Sequence, residues 1–331
     1  MLFQKTINKK IYIDGVGVHT GQKTSVTLHP AEENSGIVFQ DSKNPDNKIK
    51  VGEVLPKDSS FSTIIQKDYF VVSTIEHLMA AINGLGIDNL IIEVYGNEIS
   101  IMDGSALPFA QAILDSKIRT QNEPKKLLTP NSTLVFKEED KLIEIIPHAI
   151  QKNNSFESPH STNSGQASTH SQSSLAPSLR QKASAGAQSE RFISSSVGMA
   201  NLSFTYSIDF PHPLVKNKKL EIDLNEESFV KEIAPARTFG FLNQLPMLRK
   251  HGLAQGTNLG NTVVIGEYNY LNTLRFPDEF VRHKLLDLIG DLSLLGYQIA
   301  GQITAHKTGH SFNRKVIEHY LNNKDKWKLI S

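Results

Sequence analysis

The chain has 331 residues, with 35 Lys and Arg against 34 Asp and Glu, 12 His, no Cys and 39% hydrophobic residues. Nearly cancelled charge removes any global electrostatic drive toward nucleic acid or an anionic membrane, and the length suits one large domain or two ordinary ones, each able to bury a core. Without Cys there is no disulfide, thiolate metal site or cysteine nucleophile, so any metal must be held by His, Asp or Glu.

The N-terminal residues 1–10 have neither the apolar core nor the small-residue cleavage site of a signal peptide, and no apolar run reaches the roughly 18 residues of a membrane span. A soluble cytoplasmic protein is expected. Over 11–39, short alternating stretches punctuated by Gly15, Gly17 and Gly21 predict strands and turns. Ser73 or Thr74 is placed to cap a helix whose apolar positions Ile75, Leu78, Met79 and Ile82 fall at spacings of three and four, with Asn83, Gly84 and Gly86 to end it. Residues 89–95 then predict a continuous apolar strand, 102–105 a turn and cap, and 106–113 a second helix.

Strands are predicted again over 132–136 and 142–146. Between Gln151 and Ala200 the pattern breaks: 14 of the 50 residues are Ser, and so polar a segment cannot bury enough surface to offset its ordering entropy, which predicts a mobile insertion or long loop. Residues 201–210 alternate as a half-buried strand. Helical patterns follow over 226–233 and 244–250, bounded by Pro235 and Pro246. Residues 263–265 form a short strand, and 280–295 is the strongest helix, with Phe280, Leu285, Leu288, Ile289, Leu292 and Leu295 near one face and Gly296 as its stop. A strand over about 298–305 comes next.

The two halves repeat faintly. In each, a helix carrying His near its first turns ends at glycine and feeds an apolar strand: His77 leads to Gly86 and Ile91, His283 to Gly296 and Ile299. This reads as two similar α+β domains, 1–124 and 125–331, with both histidines near one interface.

Chemistry concentrates on those helices. His283 and Asp287 stand four residues apart, on one helical face and within reach of a single cation, and Asp291 extends the stripe by a turn. A solvated face with ordinary intrahelical pairs has the same spacing. A catalytic zinc site commonly takes three protein ligands, and His77, His283 and Asp287 would satisfy that set, with Glu76 adjacent as a base. Taken alone, His77 equally suits a cap or a satisfied core residue. Lys307 and His310 sit in a glycine-containing turn after a strand, where His310 can donate a proton to a leaving amine, although loop histidines are often idle.

The motifs Gly15-Val-Gly-Val-His-Thr-Gly21, Ser73-Thr-Ile-Glu-His-Leu78, Gly84-Leu-Gly-Ile-Asp-Asn89, Ile101-Met-Asp-Gly-Ser105, Ala236-Arg-Thr-Phe-Gly240, Val281-Arg-His-Lys-Leu-Leu-Asp-Leu-Ile-Gly-Asp291 and Lys307-Thr-Gly-His310 occur in this order. Over nearly the whole chain apart from the Ser-rich stretch, the sequence resembles the zinc-dependent UDP-3-O-acyl-N-acetylglucosamine deacetylases of lipid A biosynthesis. The resemblance implies an α+β fold of two domains, each a sheet layered with two helices, the helices packed together at the centre. It also implies hydrolysis of the acetamide of a UDP-linked acylated amino sugar to a free amine and acetate, by a monomer with transient inner-membrane contact.

On matching positions, the resemblance makes His77, His283 and Asp287 ligands of Zn2+, Glu76 the general base and His310 the general acid. Asp291 would orient or tune His310, and Lys284 and Thr238 would stabilise the oxyanion. Lys141, Arg237 and Lys307 become candidate phosphate or nucleotide contacts, and Phe239 packs on the sugar or nucleotide. An insertion over about 239–266 would form an acyl passage lined by Leu242, Leu245, Ala254, Thr262 and Val264. A base and an acid together imply a bell-shaped pH profile. The Ser-rich segment departs from the family's short connection between second-domain strands. The competing functions are an amidase acting on another nucleotide sugar and a non-catalytic nucleotide-sugar-binding protein of the same fold.

Overall fold

The structure, a computed structural model, describes residues 1–148 and 202–331; the Ser-rich stretch lies outside the described residues. Two five-stranded sheets share one plan. The first runs in the order Ile11–Val16, Lys23–Pro30, Leu90–Tyr95, Ile37–Asp41, Lys48–Lys50, and the second in the order Leu134–Glu138, Lys141–Pro147, Gly301–His306, Leu202–Ile208, Lys218–Asp223. In each, the strand last in sequence inserts at the centre, parallel to one neighbour and antiparallel to the other.

In each half a helix precedes that central strand and another follows it: Glu76–Gly84 and Leu107–Asp115 in the first, Glu279–Leu292 and His310–Asn322 in the second. The faint repeat in the sequence is thus the repeat of a whole fold unit, two similar α+β halves. The expected division after residue 124 falls between the strands Ile118–Pro124 and Leu127–Pro130. Alternation works as expected in Leu202–Ile208, where Leu202, Phe204, Tyr206 and Ile208 are buried and the residues between them are half-buried.

The Glu76–Gly84 and Glu279–Leu292 helices pack on each other at the centre. Their backbones approach so closely that a Cβ at Gly290 would lie 2.1 Å from the Glu76 carbonyl oxygen. We expect Gly290→Ala to push the helices apart, lowering stability by about 1–3 kcal/mol as overpacking does. A thermal melt measures it, and an unchanged melting temperature would refute this account of the crossing.

The structure departs from the sequence reading at several ends. Neither Ser73 nor Thr74 caps the first central helix: its N-cap is Ile75, which makes no side-chain bond. Thr74 instead adopts a left-handed φ of 58°, and its hydroxyl donates to Glu98 Oε1 at 3.2 Å. Such backbone strain in a β-branched residue costs about 1–3 kcal/mol and persists only where surroundings enforce it. The buried Glu98 does so, since it also accepts from the N–H groups of His19 and Thr20 at 2.8 and 2.9 Å.

The helix expected over 226–233 is one α-turn, Glu226–Ser228, continued as a π-helix, Phe229–Ile233. Phe229 there presses its ring on Gly84, where any side chain would collide. The strongest expected helix ends its α-helical part at Leu292, tightens to a 3-10 turn over Ser293–Leu295 and stops at Gly296 with φ 83°. The turn assigned to His310 is in fact the start of a 13-residue helix. Its buried stripe of Phe312, Val316, Ile317 and Tyr320 recurs at helical spacing in the sequence.

Candidate functional site

Both central helices are almost wholly buried, so their polar residues must find partners inside the protein. His77 from the first half and His283 and Asp287 from the second bring one ligand atom each to within 4.8 Å of one another. Asp287 divides its work: Oδ2 accepts from Lys284 Nζ at 2.9 Å, while Oδ1 faces His283 Nε2 at 3.3 Å and His77 Nε2 at 3.7 Å. Bonds of about 2.0–2.2 Å to a tetrahedral cation place ligand atoms about 3.3–3.6 Å apart, so these separations fit a shared ion.

The outer nitrogen of His283 has a partner of its own. His283 Nδ1 lies 3.0 Å from the Ala236 carbonyl and donates to it, which leaves Nε2 with a free lone pair toward the cluster. Burial pushes the His283 pKa down to about 4, so the ring is neutral, as a ligand must be. Burial opposes ionisation of Asp287, but the Lys284 ammonium holds its carboxyl well below the usual range. Lys284 itself loses by burial and gains more from Asp287 and Tyr206, so its ammonium is held above the ordinary lysine range. His77 differs: the ring nitrogen toward Asp287 is Nε2, and its buried Nδ1 has no hydrogen-bond partner among the described residues.

Two further groups face this cluster. Glu76 is buried, and burial raises its pKa against the opposing pull of His310 and His77. Its Oε1 is 4.0 Å from His310 Nε2, and its Oε2 accepts from the Thr63 N–H at 2.9 Å. Burial works against a charge on His310, yet Asp291, with Glu76 and Asp287, holds its pKa up at about 9. The His310 Nδ1 donates to Asp291 Oδ2 at 2.8 Å, and its Nε2 stands 3.9 Å from Asp287 Oδ2.

Two cavities meet here. The larger, of about 500 Å³, is lined by Lys141, Thr238, Phe239, Lys284 and Lys307 together with His283, Asp287 and His310. The smaller, of about 150 Å³, is lined by Leu242, Leu245, Ala254, Thr262 and Val264, and shares Thr238, Phe239, His283, Asp287 and His310 with the first. Phe239 is fixed edge-on to Phe280, with ring centroids 4.8 Å apart. The strands Phe239–Phe241 and Val263–Ile265 pair in parallel, so the segment between them returns beside its own start. Lys307 has φ 53° and an ion pair to Asp140 at 2.5 Å.

Arg237 is corrected by the structure. It lines neither cavity: its guanidinium is buried on Glu279, Nε to Oε1 at 2.8 Å, and its Nη2 donates to the Thr273 carbonyl at 2.6 Å. A buried carboxylate and a bidentate donor satisfy each other and tie the start of the second central helix to the 236–240 motif. Asp291 also lines neither cavity, and it touches the site through His310.

Several residues at the site escape the sequence reading. Phe61 lines both cavities while half exposed, and His19 lines the smaller. Thr63 touches Glu76, Asp291 and His310, and Asn313 Nδ2 donates to Asp291 Oδ2 at 2.7 Å. Nothing local marks Phe61 or Thr63, which sit in an irregular polar run. His19 lies in a glycine-rich motif of the sequence, and nothing in that motif alone gives it a role.

A family model described as UDP-3-O-acyl N-acetylglycosamine deacetylase matches residues 4–185 and 166–322. A protein of Syntrophotalea carbinolica named UDP-3-O-acyl-N-acetylglucosamine deacetylase is 36% identical over 334 residues, covering 100% of this chain and 91% of its own length. Proteins of the same name from Teredinibacter turnerae and Myxococcus xanthus are 37% and 36% identical, covering 100% and 99% of this chain and 94% and 89% of their own.

Proposed function

The chain belongs to the UDP-3-O-acyl-N-acetylglucosamine deacetylase family, and from that premise we propose that it hydrolyses the N-acetyl group of UDP-3-O-(3-hydroxyacyl)-N-acetylglucosamine to the free amine and acetate. This is the committed step of lipid A synthesis, carried out in the cytoplasm. The observation that supports it most is the convergence of His77, His283 and Asp287 beside Glu76 and His310, where the two cavities meet.

His77, His283 and Asp287 would hold the ion. Zinc, when bound, supplies a Lewis acid for the amide carbonyl and lowers the pKa of nearby water toward ~7. Glu76, whose raised pKa makes it a better proton acceptor than an exposed carboxylate, takes a proton from the attacking water as the carbon–oxygen bond forms. Negative charge then develops on the carbonyl oxygen. Lys284 and Thr238, both in the wall of the larger cavity, are the donors for it, each worth ~3 kcal/mol if aimed at the transition state. His310 delivers its proton to the nitrogen as the carbon–nitrogen bond breaks, and acetate and the amine depart.

Lys141 and Lys307 suit the diphosphate, with Phe239 against the sugar or nucleotide. The smaller cavity suits the acyl chain, where each buried methylene would contribute ~0.8 kcal/mol before ordering costs. Contact with the inner membrane would be transient, because the substrate carries a single acyl chain and single chains anchor weakly; among the described residues no helix is long and apolar enough to cross a membrane.

The test is acetate release from the UDP-linked acylated sugar by the zinc-loaded protein. No release overturns the proposal, and equal rates with the unacylated sugar would favour an amidase of another nucleotide sugar. A pH profile of kcat/KM should be bell-shaped. Activity rises as Glu76 loses its proton, above the usual carboxylate range, and falls as His310 loses its own at about 9. A rate that keeps climbing through pH 10 would remove His310 from the acid role.

A further inference from the structure

Glu76 comes from the first half of the molecule, whereas Asp291 and His310 come from the second, and one residue bonds to all three. Thr63 is buried in the segment between the strand Lys48–Lys50 and the first central helix. Its N–H donates to Glu76 Oε2 at 2.9 Å, its hydroxyl donates to Asp291 Oδ1, and that hydroxyl oxygen lies 3.1 Å from His310 Nδ1. We propose that Thr63 is a positioning residue that fixes the base and the acid of the reaction relative to each other. The proposal rests on the deacetylase reading above.

Because the Thr63 N–H occupies Oε2 of Glu76, the other oxygen, Oε1, is the one left facing His310 Nε2. The carboxylate therefore cannot present either oxygen at random. Asp291 is held at both ends, with Thr63 on Oδ1 and Asn313 and His310 on Oδ2. A carboxylate gripped on both oxygens cannot swing, so the imidazole bonded to it keeps its plane, with Nε2 between Glu76 Oε1 and Asp287 Oδ2 at 4.0 and 3.9 Å.

Thr63 does this across the junction of the two halves, bonding to Glu76 of the first and to Asp291 and His310 of the second. A branched Cβ suits the task better than serine would, since threonine has fewer side-chain rotamers to lose and its methyl packs where the residue is buried. Misplacing reacting groups by about 1 Å can lower a rate about a hundredfold. The hydroxyl thus matters although Thr63 lines neither cavity.

Thr63→Val is the test, because it keeps shape and backbone N–H and removes only the O–H. It should lower kcat about ten- to a hundredfold while leaving KM within about twofold, since an interaction that acts only in the chemical step moves kcat and not ground-state binding. Bound zinc should match wild type and the variant should stay folded, with a melting temperature somewhat lowered because the buried Asp291 Oδ1 loses a donor, and Thr63→Ser should recover kcat to within about threefold. Wild-type turnover in the valine variant overturns the proposal, as does a serine variant as slow as valine, which would assign the effect to methyl packing. Loss of zinc or of the folded state in the valine variant also overturns it, by making the role structural. Wild-type acetate release, measured alongside, separates the two ideas: its absence removes the deacetylase reading and Thr63's part with it, whereas its presence beside a fast valine variant removes Thr63 alone.

Discussion

Glu76→Gln is expected to retain the metal and lose nearly all turnover, by about a hundred- to ten-thousandfold, the span over which a positioned general base acts. Glutamine keeps the length and the planar end of the side chain, and its carbonyl can still accept from the Thr63 N–H. What disappears is the basic oxygen facing His310 and one of the negative charges that keep that imidazole protonated. Turnover and metal content measured on one preparation separate the outcomes. A variant with near wild-type kcat would take the base role from Glu76, and one that has lost its metal would show that Glu76 matters to the ion site instead.

His283→Ala should abolish stoichiometric zinc binding and activity together. Removing one of three ligands leaves a buried histidine and a carboxylate that cannot close a tetrahedral site, and it leaves the Ala236 carbonyl without its donor. Asp287 would keep its ion pair with Lys284, so its charge stays partnered and the helix has reason to remain folded. Metal analysis decides the matter and a thermal melt guards it. Unchanged zinc content in a folded variant overturns the ligand assignment.

Much of the fold was legible because burial leaves a local trace. The 280–295 pattern foretold the second central helix, with Gly296 where a left-handed residue is needed, and the strand at 263–265 stands where expected. The C-terminal helix was legible too, in the spacing of Phe312, Val316, Ile317 and Tyr320. The glycine-containing motif just before it, read alone, points instead to a loop at His310, which is the helix's first residue. The cap at Thr74 failed for a different reason: residue type favours capping there, but Glu98, a neighbour only in the folded state, claims the hydroxyl.

The site divides in the same way. By themselves the residues determined which side chains could bind a metal without cysteine, placed His283, Asp287 and Asp291 on one stripe, and matched the ordered motifs to one family. Only the tertiary structure decided that His77 meets that stripe across the helix crossing at Gly290, and that Arg237 is locked to Glu279. It alone revealed Thr63, bonded to Glu76, Asp291 and His310. The reason is physical. Periodicity reports which face an element buries, whereas the partner of a buried polar group is set by whatever the packed halves bring within about 3 Å, and hydrogen bonds that short leave no signature along the chain.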